Sequence, residues 1–464
     1  MSLRLGGSQT CENPRLWLPL PSGSFAPSMA VLSEGQNTRN VLVLSGIGHF
    51  STHFFELMFP TLAVTLAAQA RVPLEEVLGW SFLGYLLFGL GALPAGLLAD
   101  RVGARRLLLI ALFGLGVAAL AASEAPNGRV LSLCLALMGA CASIYHPVGM
   151  SLISRTIDAR GRALGVNGMF GSAAIALTPI LTAWLCTWLG WQATYRVVGY
   201  AMCAIAVAAA FLPIDERHIA SHAGGTAEAG AVGVLQRESL VPLAVLLVAA
   251  ALAGISYRGN TLLQPAYFAA HVHEIGFGAA TSLVYLLGIG GQYVGGRLAD
   301  RRDLRRLYLA FHALSLPALL LMTALAGIPL LGSAAVFVFF SLGMQPIENS
   351  LLAHLTPPRW RATAYGAKFV LTFGVGSLAV WLVRWAVTAG GLTFALTCLA
   401  AVVLLVVAAA ALLVRIGEPQ SRGAPAAEES RRRRSVGAAL APAGALAAIG
   451  TAPAERRPSE ARLP

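Results

Sequence analysis

A chain built from one stretch of about twenty apolar residues after another has few folds open to it. Between Asn40 and Arg415 such stretches follow each other with only short polar breaks. About 20 apolar residues cross a bilayer as one helix. Twelve segments are read on that basis: 41–69, 76–99, 105–123, 130–153, 161–188, 192–213, 240–268, 277–299, 306–326, 329–352, 361–387 and 391–415. Charged residues make up 12% of the chain, where a soluble domain carries about 25%. That rules out a water-soluble multidomain protein, and disorder for the bulk of the chain. Five of the six cysteines lie in apolar stretches and none forms a CxxC pair, so they read as small apolar residues.

The formal charge of +12 does not point to nucleic acid, because of where it sits. The loops after the second, fourth, sixth, eighth and tenth segments hold fourteen arginines, and the opposite loops hold only Arg71, Arg129 and Arg196. Basic loops face the cytoplasm, so both termini are expected inside, with membrane lipids as partners and no nucleic acid. Residues 1–38 carry no signal-peptide core and read as a disordered cytoplasmic lead, within which Met29 is an alternative start. Residues 39–213 and 240–416 read as two six-helix bundles, and 214–239 as a cytoplasmic linker. The tail 417–464, with Arg431 to Arg434, reads as a disordered basic segment that reinforces orientation; a lipid-binding switch is the sharper alternative.

The two bundles repeat one another. Gly96 to Arg106 (GLLADRVGARR) matches Gly296 to Arg306 (GRLADRRDLRR), and Pro147 to Ile153 (PVGMSLI) matches Pro346 to Leu352 (PIENSLL). A weaker match sets His53 to Pro60 against Arg258 to Pro265. Duplicated units of this kind are common in transporters, with the substrate near the midplane between the repeats. The expected fold is an all-α membrane protein of twelve transmembrane helices in two pseudo-symmetric six-helix bundles around a central cavity.

The Gly-x-Leu-Ala-Asp-Arg loop, present after the second segment and again after the eighth, resembles the motif of the major facilitator superfamily. The resemblance covers about 40–416. Within that superfamily, Gly139 to Arg155 (GACASIYHPVGMSLISR) and Phe170 to Pro179 (FGSAAIALTP) are similar to the fosmidomycin-resistance-type exporters. His53 and Glu56 depart from that branch, which would carry an Asn-Asp pair there, and the YRGN of helix seven is a second departure.

Polar residues inside the apolar segments carry the functional expectations, since a charge within the bilayer costs about 2.5–3.5 kcal/mol on insertion scales. His49, His53 and Glu56 fall at i, i+4 and i+7 of helix one and share a face. They read as proton-coupling groups, with a polar helix-packing stripe as the alternative. Glu348 in helix ten joins that set. His146, beside Pro147 in helix four, reads as substrate-binding, as do Arg258 and Asn260 in helix seven, Gln345 in helix ten and Lys368 in helix eleven. Arg258 is deep enough to need a counter-ion, and Lys368, which replaces Met169 of the first repeat, has snorkelling as its alternative. By resemblance, helices one, four, seven and ten line the central cavity, and Asp100, Arg101, Arg105, Asp300 and Arg301 gate it. In helix five, Gly161, Gly165, Gly168 and Gly171 form a small-residue stripe that partly resembles an antiporter signature.

No P-loop is present, so ATP is not expected to drive the protein. No enzyme motif and no cofactor are expected, and no metal, since the helix-one histidines lack a third at regular spacing. The expectation is a secondary active transporter, a monomer in a bacterial inner membrane, exporting a small drug-like or anionic molecule against protons. The alternatives are uptake symport of an organic anion held by Arg258 and Lys368, and a non-transporting receptor or scaffold.

Overall fold

The computed structural model describes residues 32–158, 160–216, 237–357 and 360–417, so the expectations for the amino-terminal lead up to residue 31, most of the linker and the basic tail lie outside the described residues. All regular structure among the described residues is helical. The chain divides into two compact units, Met1–Gly230 and Ala231–Pro464.

The first unit holds α1 (Glu34–Ala70), α2 (Leu74–Gly79), α3 (Phe82–Leu90), α4 (Ala92–Val102), α5 (Ala104–Ser123), α6 (Gly128–Ala142), α7 (Tyr145–Thr156) and α8 (Arg160–Ala210). The second holds α9 (Arg237–His271), α10 (Phe277–Ala299), α11 (Leu304–Met322), α12 (Gly327–Leu355), α13 (Arg361–Phe369) and α14 (Leu378–Gly417). A π-helical turn, Val370–Gly374, and a short 3₁₀ turn, Val375–Ser377, join α13 to α14.

Local chemistry sets several of these boundaries. Helix α1 begins at Glu34, inside the stretch read from sequence as disordered, because Ser33 and Gln36 close a capping box that satisfies two N-terminal amides. Asn127 caps α6 and Asp303 caps α11 by accepting the N–H three residues on. Pro147 has no N–H for the Ser143 carbonyl, and the helical run breaks between α6 and α7 at that point. At the far end of α5, the Arg196 guanidinium bonds the Glu124 carboxylate at 2.6 Å and holds its carboxyl below the usual carboxylate range.

Nine helical stretches among the described residues are long and apolar enough to cross a membrane. Two of them, Arg162–Ala210 and Thr363–Ile416, are 49 and 54 residues long, roughly 70–80 Å at 1.5 Å per residue, more than twice a hydrocarbon core of about 30 Å. Each is interrupted by a glycine at positive φ, Gly190 at 78° and Gly391 at 79°, a conformation that glycine enters without steric penalty. Helix α10 is 23 residues long, and its glycines and Gln292 dilute its apolar character.

Packing follows the repeat. A Cβ on Gly139 would land on the Gly84 carbonyl oxygen where α3 meets α6, and one on Gly295 would land on the Gly343 carbonyl oxygen where α10 meets α12. Small residues let backbones approach at these two crossings. In the second unit Leu246, Ala249, Tyr308, Ile347, Leu351, Val406 and Leu413 form a buried core. The outer surface is apolar as well: Phe211, Leu97 and Trp188 are 82%, 74% and 74% exposed. An exterior of this kind suits lipid and not water.

Candidate functional site

The first unit brings the helix-one residues together with His146. On α1, His53 Nδ1 lies 2.6 Å from Glu56 Oε2, and both side chains are buried. The break before Pro147 starts α7 at Tyr145 and turns its first two rings onto α1. His146 meets His53 edge-on with centroids 5.4 Å apart, and His49 at 5.5 Å. Tyr145 stacks on His49 at 4.8 Å.

Asn167 of α8, which sequence reasoning missed, fixes the other side of the cluster. Its backbone carbonyl accepts from His49 Nδ1 at 2.8 Å, and a carbonyl can only accept. The neutral His49 ring therefore carries its proton on Nδ1 and leaves Nε2 as a lone pair. The Asn167 side chain is bonded to the Tyr145 hydroxyl, which donates to Oδ1 at 2.8 Å. Gly171 makes room for the His49 ring, since a Cβ there would collide with Nε2.

The ligand-capable nitrogens of His49, His53 and His146 lie within 4.8 Å of one another. The fold thus supplies the third histidine that the spacing in sequence lacks, and these three are the residues that could hold a metal ion. An ion bound at about 2.1 Å to each would need every pair within about 4.2 Å, so a spread reaching 4.8 Å requires ring movement first. As it stands the cluster is three imidazoles packed ring against ring, one of them bonded to a carboxylate, the groups a proton path is built from. A cavity of about 30 Å³ lies beside Glu56, walled by Ser81, Tyr85, Phe88 and Met138. That is room for about two waters.

The second unit has its own buried polar cluster. Lys368 Nζ of α13 lies 2.7 Å from Glu348 Oε1 of α12 and donates to Asn349 Oδ1 at 2.6 Å. Tyr308 of α11 donates its hydroxyl proton to Glu348 Oε2 at 2.8 Å, and the His312 ring stands edge-on to Tyr308 with centroids 4.6 Å apart. Lys368 is 8% exposed and Glu348 2%, so Lys368 is a buried ion-pair partner and does not snorkel. The π turn follows Lys368 two residues later, a feature often found at functional sites.

The remaining candidates lie on α9 (Arg258 and Asn260) and α12 (Gln345). Arg258 is 1% exposed, with its guanidinium carbon 5.9 Å from the Tyr257 ring centroid. Asn260 donates to the Ser256 carbonyl at 2.9 Å. Gln345 accepts from Gln292 at 3.4 Å, which ties α12 to α10.

Of the residues read as gates, Arg105 has an evident role inside its own unit. Its guanidinium donates to the Ala210 and Leu212 carbonyls at 2.6 and 3.2 Å, at the end of α8. In return Glu216 accepts the Ala104 and Arg105 amides at 3.0 and 2.9 Å, capping α5. Cation at a helix C-terminus and anion at an N-terminus is the arrangement the helix dipoles favour. Arg101, Asp300 and Arg301 are exposed, and Asp100 sits in the last turn of α4 with its side chain outside the described residues.

A family profile described as Major Facilitator Superfamily matches residues 45–380 and 246–457. The chain belongs to the Major Facilitator Superfamily. It is an integral membrane transporter and not an enzyme. Among superfamily relatives, the maltose permease of Geobacillus stearothermophilus is 26% identical over 75% of this chain and 90% of its own length. The multidrug efflux pump Tap of Mycolicibacterium fortuitum is 30% identical over 41% of this chain and 50% of its own. An uncharacterized MFS-type transporter of Mycobacterium tuberculosis matches at 30% over 30% of its length, so the chain spans less than a third of that relative. Solved structures share the fold: an unoccupied, inward-facing bacterial homolog of the human lysosomal transporter Spinster (TM-score 0.70, 13% identity, 82% of this chain and 97% of that one), and a peptide transporter, POT, in complex with sulfate (TM-score 0.65, 15% identity, 83% and 99%).

Proposed function

We propose that this transporter couples the export of a small drug-like or anionic molecule to proton movement by alternating access. The observation that carries the reading is the buried His53–Glu56 pair, with His49 and His146 packed against His53. A carboxylate and an imidazole 2.6 Å apart, away from bulk water, can pass a proton and change charge as they do so. The buried Glu348–Lys368 pair supplies a second carboxylate, and Arg258 supplies buried positive charge for an anionic substrate. Likeness to the fosmidomycin-resistance-type exporters in Gly139 to Arg155, and the efflux pump among the relatives, support the outward direction.

Uptake symport is the second reading, favoured by the maltose permease as a relative matched over most of its length. On either reading the chain works as a monomer in a bacterial inner membrane, with both termini cytoplasmic. It then has twelve crossings: the nine stretches, with two of them counted double at Gly190 and Gly391, and α10. Liposomes holding a pH-sensitive dye distinguish the directions. Export antiport moves protons opposite to a phosphonate, organic acid or cationic drug; symport moves them with it. Transport that continues unchanged after the proton gradient is collapsed would overturn both.

A further inference from the structure

Helix α9 carries two amide side chains whose hydrogen-bonding capacity is left open in the interior. Gln264 is 1% exposed, and neither its Oε1 nor its Nε2 has a partner among the described residues. Asn260, one turn earlier and 3% exposed, commits its Nδ2 to Ser256, which fixes the orientation of the amide and leaves Oδ1 without a partner. Each buried polar group left unmade costs about 1–3 kcal/mol, and native interiors rarely leave such groups so. Pro265 adds to the deficit, because it has no N–H to offer the Thr261 carbonyl.

These groups face one space. Asn260, Thr261 and Gln264 line a cavity in the second unit closed by Tyr285 of α10 and by Phe337, Ser341 and Leu342 of α12. Its free volume is about 10 Å³, enough for one hydrogen-bonding group and not for a whole molecule. The chemistry of that group follows from the wall. Two side-chain acceptors, Gln264 Oε1 and Asn260 Oδ1, call for a donor, and Gln264 Nε2 calls for an acceptor. A carboxylate or phosphonate only accepts and would face two oxygens. An ammonium only donates and would leave Nε2 unpaired. A hydroxyl does both, accepting from Nε2 and donating its one hydrogen to one of the two oxygens.

Building on the transporter reading above, we propose that Gln264 and Asn260 form the subsite for a hydroxyl group of the transported molecule, and that the substrate is therefore hydroxylated. The anionic part, where there is one, goes elsewhere.

The test uses the full chain in detergent. First, ligand-free Gln264→Leu is expected to unfold at a higher temperature than wild type, because an unmatched amide has been removed; Gln264→Met serves if the leucine variant does not fold. A lower unfolding temperature would mean that the amide was already satisfied, by a resident water only, and would overturn the proposal. Second, binding is measured for matched probes: 3-hydroxypropylphosphonate against propylphosphonate, and gluconate against hexanoate. The hydroxylated member of a pair is expected to bind about tenfold tighter or better in wild type, with that preference gone in Gln264→Leu and the deoxy member unaffected. Equal binding of both members, no binding by either hydroxylated probe, or a preference that survives in the variant would overturn it. Lost proton coupling with the hydroxyl preference intact would count against the coupling reading alone; intact coupling with no preference would count against the subsite alone.

Discussion

Lys368 and Glu348 form a buried ion pair, 2.7 Å between Nζ and Oε1, on two helices of the second unit. Removing one partner leaves a charge in a low-dielectric interior, which costs about 3–5 kcal/mol, whereas removing both is far less damaging. Lys368→Met and Glu348→Gln are each expected to lower the thermal unfolding temperature in detergent, and the double variant to recover most of the loss. Additive losses would mean that the two charges do not support each other.

His49 is held by Asn167 on one side and by the space at Gly171 on the other. Gly171→Ala is expected to push the ring away and to reduce substrate-dependent proton flux at least tenfold, with the protein still folded. Gly168→Ala is the control, since a Cβ at Gly168 meets nothing within 4 Å. Near-wild-type flux in Gly171→Ala would show that the position of His49 does not matter.

Arg105 and Glu216 lock α5 to the end of α8 by reciprocal capping. Arg105→Ala is expected to destabilise the protein by about 1–2 kcal/mol, read as a lower unfolding temperature. Arg101→Ala, at an exposed position, is expected to leave that temperature within error. Equal effects of the two would argue for one shared gating role.

Glu124 gives a pH signature outside the membrane. Its carboxyl is held below its usual value near 4.5 by the Arg196 hydrogen bond. A depressed folded value means that the contribution is complete above the unfolded value and is lost as pH falls through the folded one. The stability difference between wild type and Glu124→Gln is therefore expected to be small and constant above about pH 5 and to vanish on acidification. The pair is exposed and easily screened, so high salt is expected to erase the difference too.

The spans were legible because length and hydropathy carry them directly: 105–123 and 277–299 agree with α5 and α10 to within a residue. The start of α1 was not, because a capping box is polar and looks like a lead-in. Within the site, the helix-one stripe could be read from its i, i+4, i+7 spacing. The arrival of His146 could not, since Pro147 marks a break without saying where the rings turn. Asn167 and Tyr308 carry no local signal at all: each is a polar side chain on an apolar helix whose hydrogen-bond partner is distant in sequence, and His312 stands one turn from Tyr308 and is tied to the cluster through it. Lys368 was visible as an asymmetry against Met169, but only the fold shows that Glu348 neutralises it. Arg105 was placed by motif resemblance among the gates, and its bonds to the α8 carbonyls come from tertiary structure alone.

Proton coupling through Glu56 is tested most directly by reconstituting wild type and Glu56→Gln side by side in liposomes with a trapped pH dye. A transported phosphonate, organic acid or cationic drug is then applied under an imposed pH gradient. Wild type is expected to show a compound-dependent proton flux, and Glu56→Gln to lose it while still binding the compound. Full proton flux in Glu56→Gln would contradict the account and move the coupling site away from the histidine cluster.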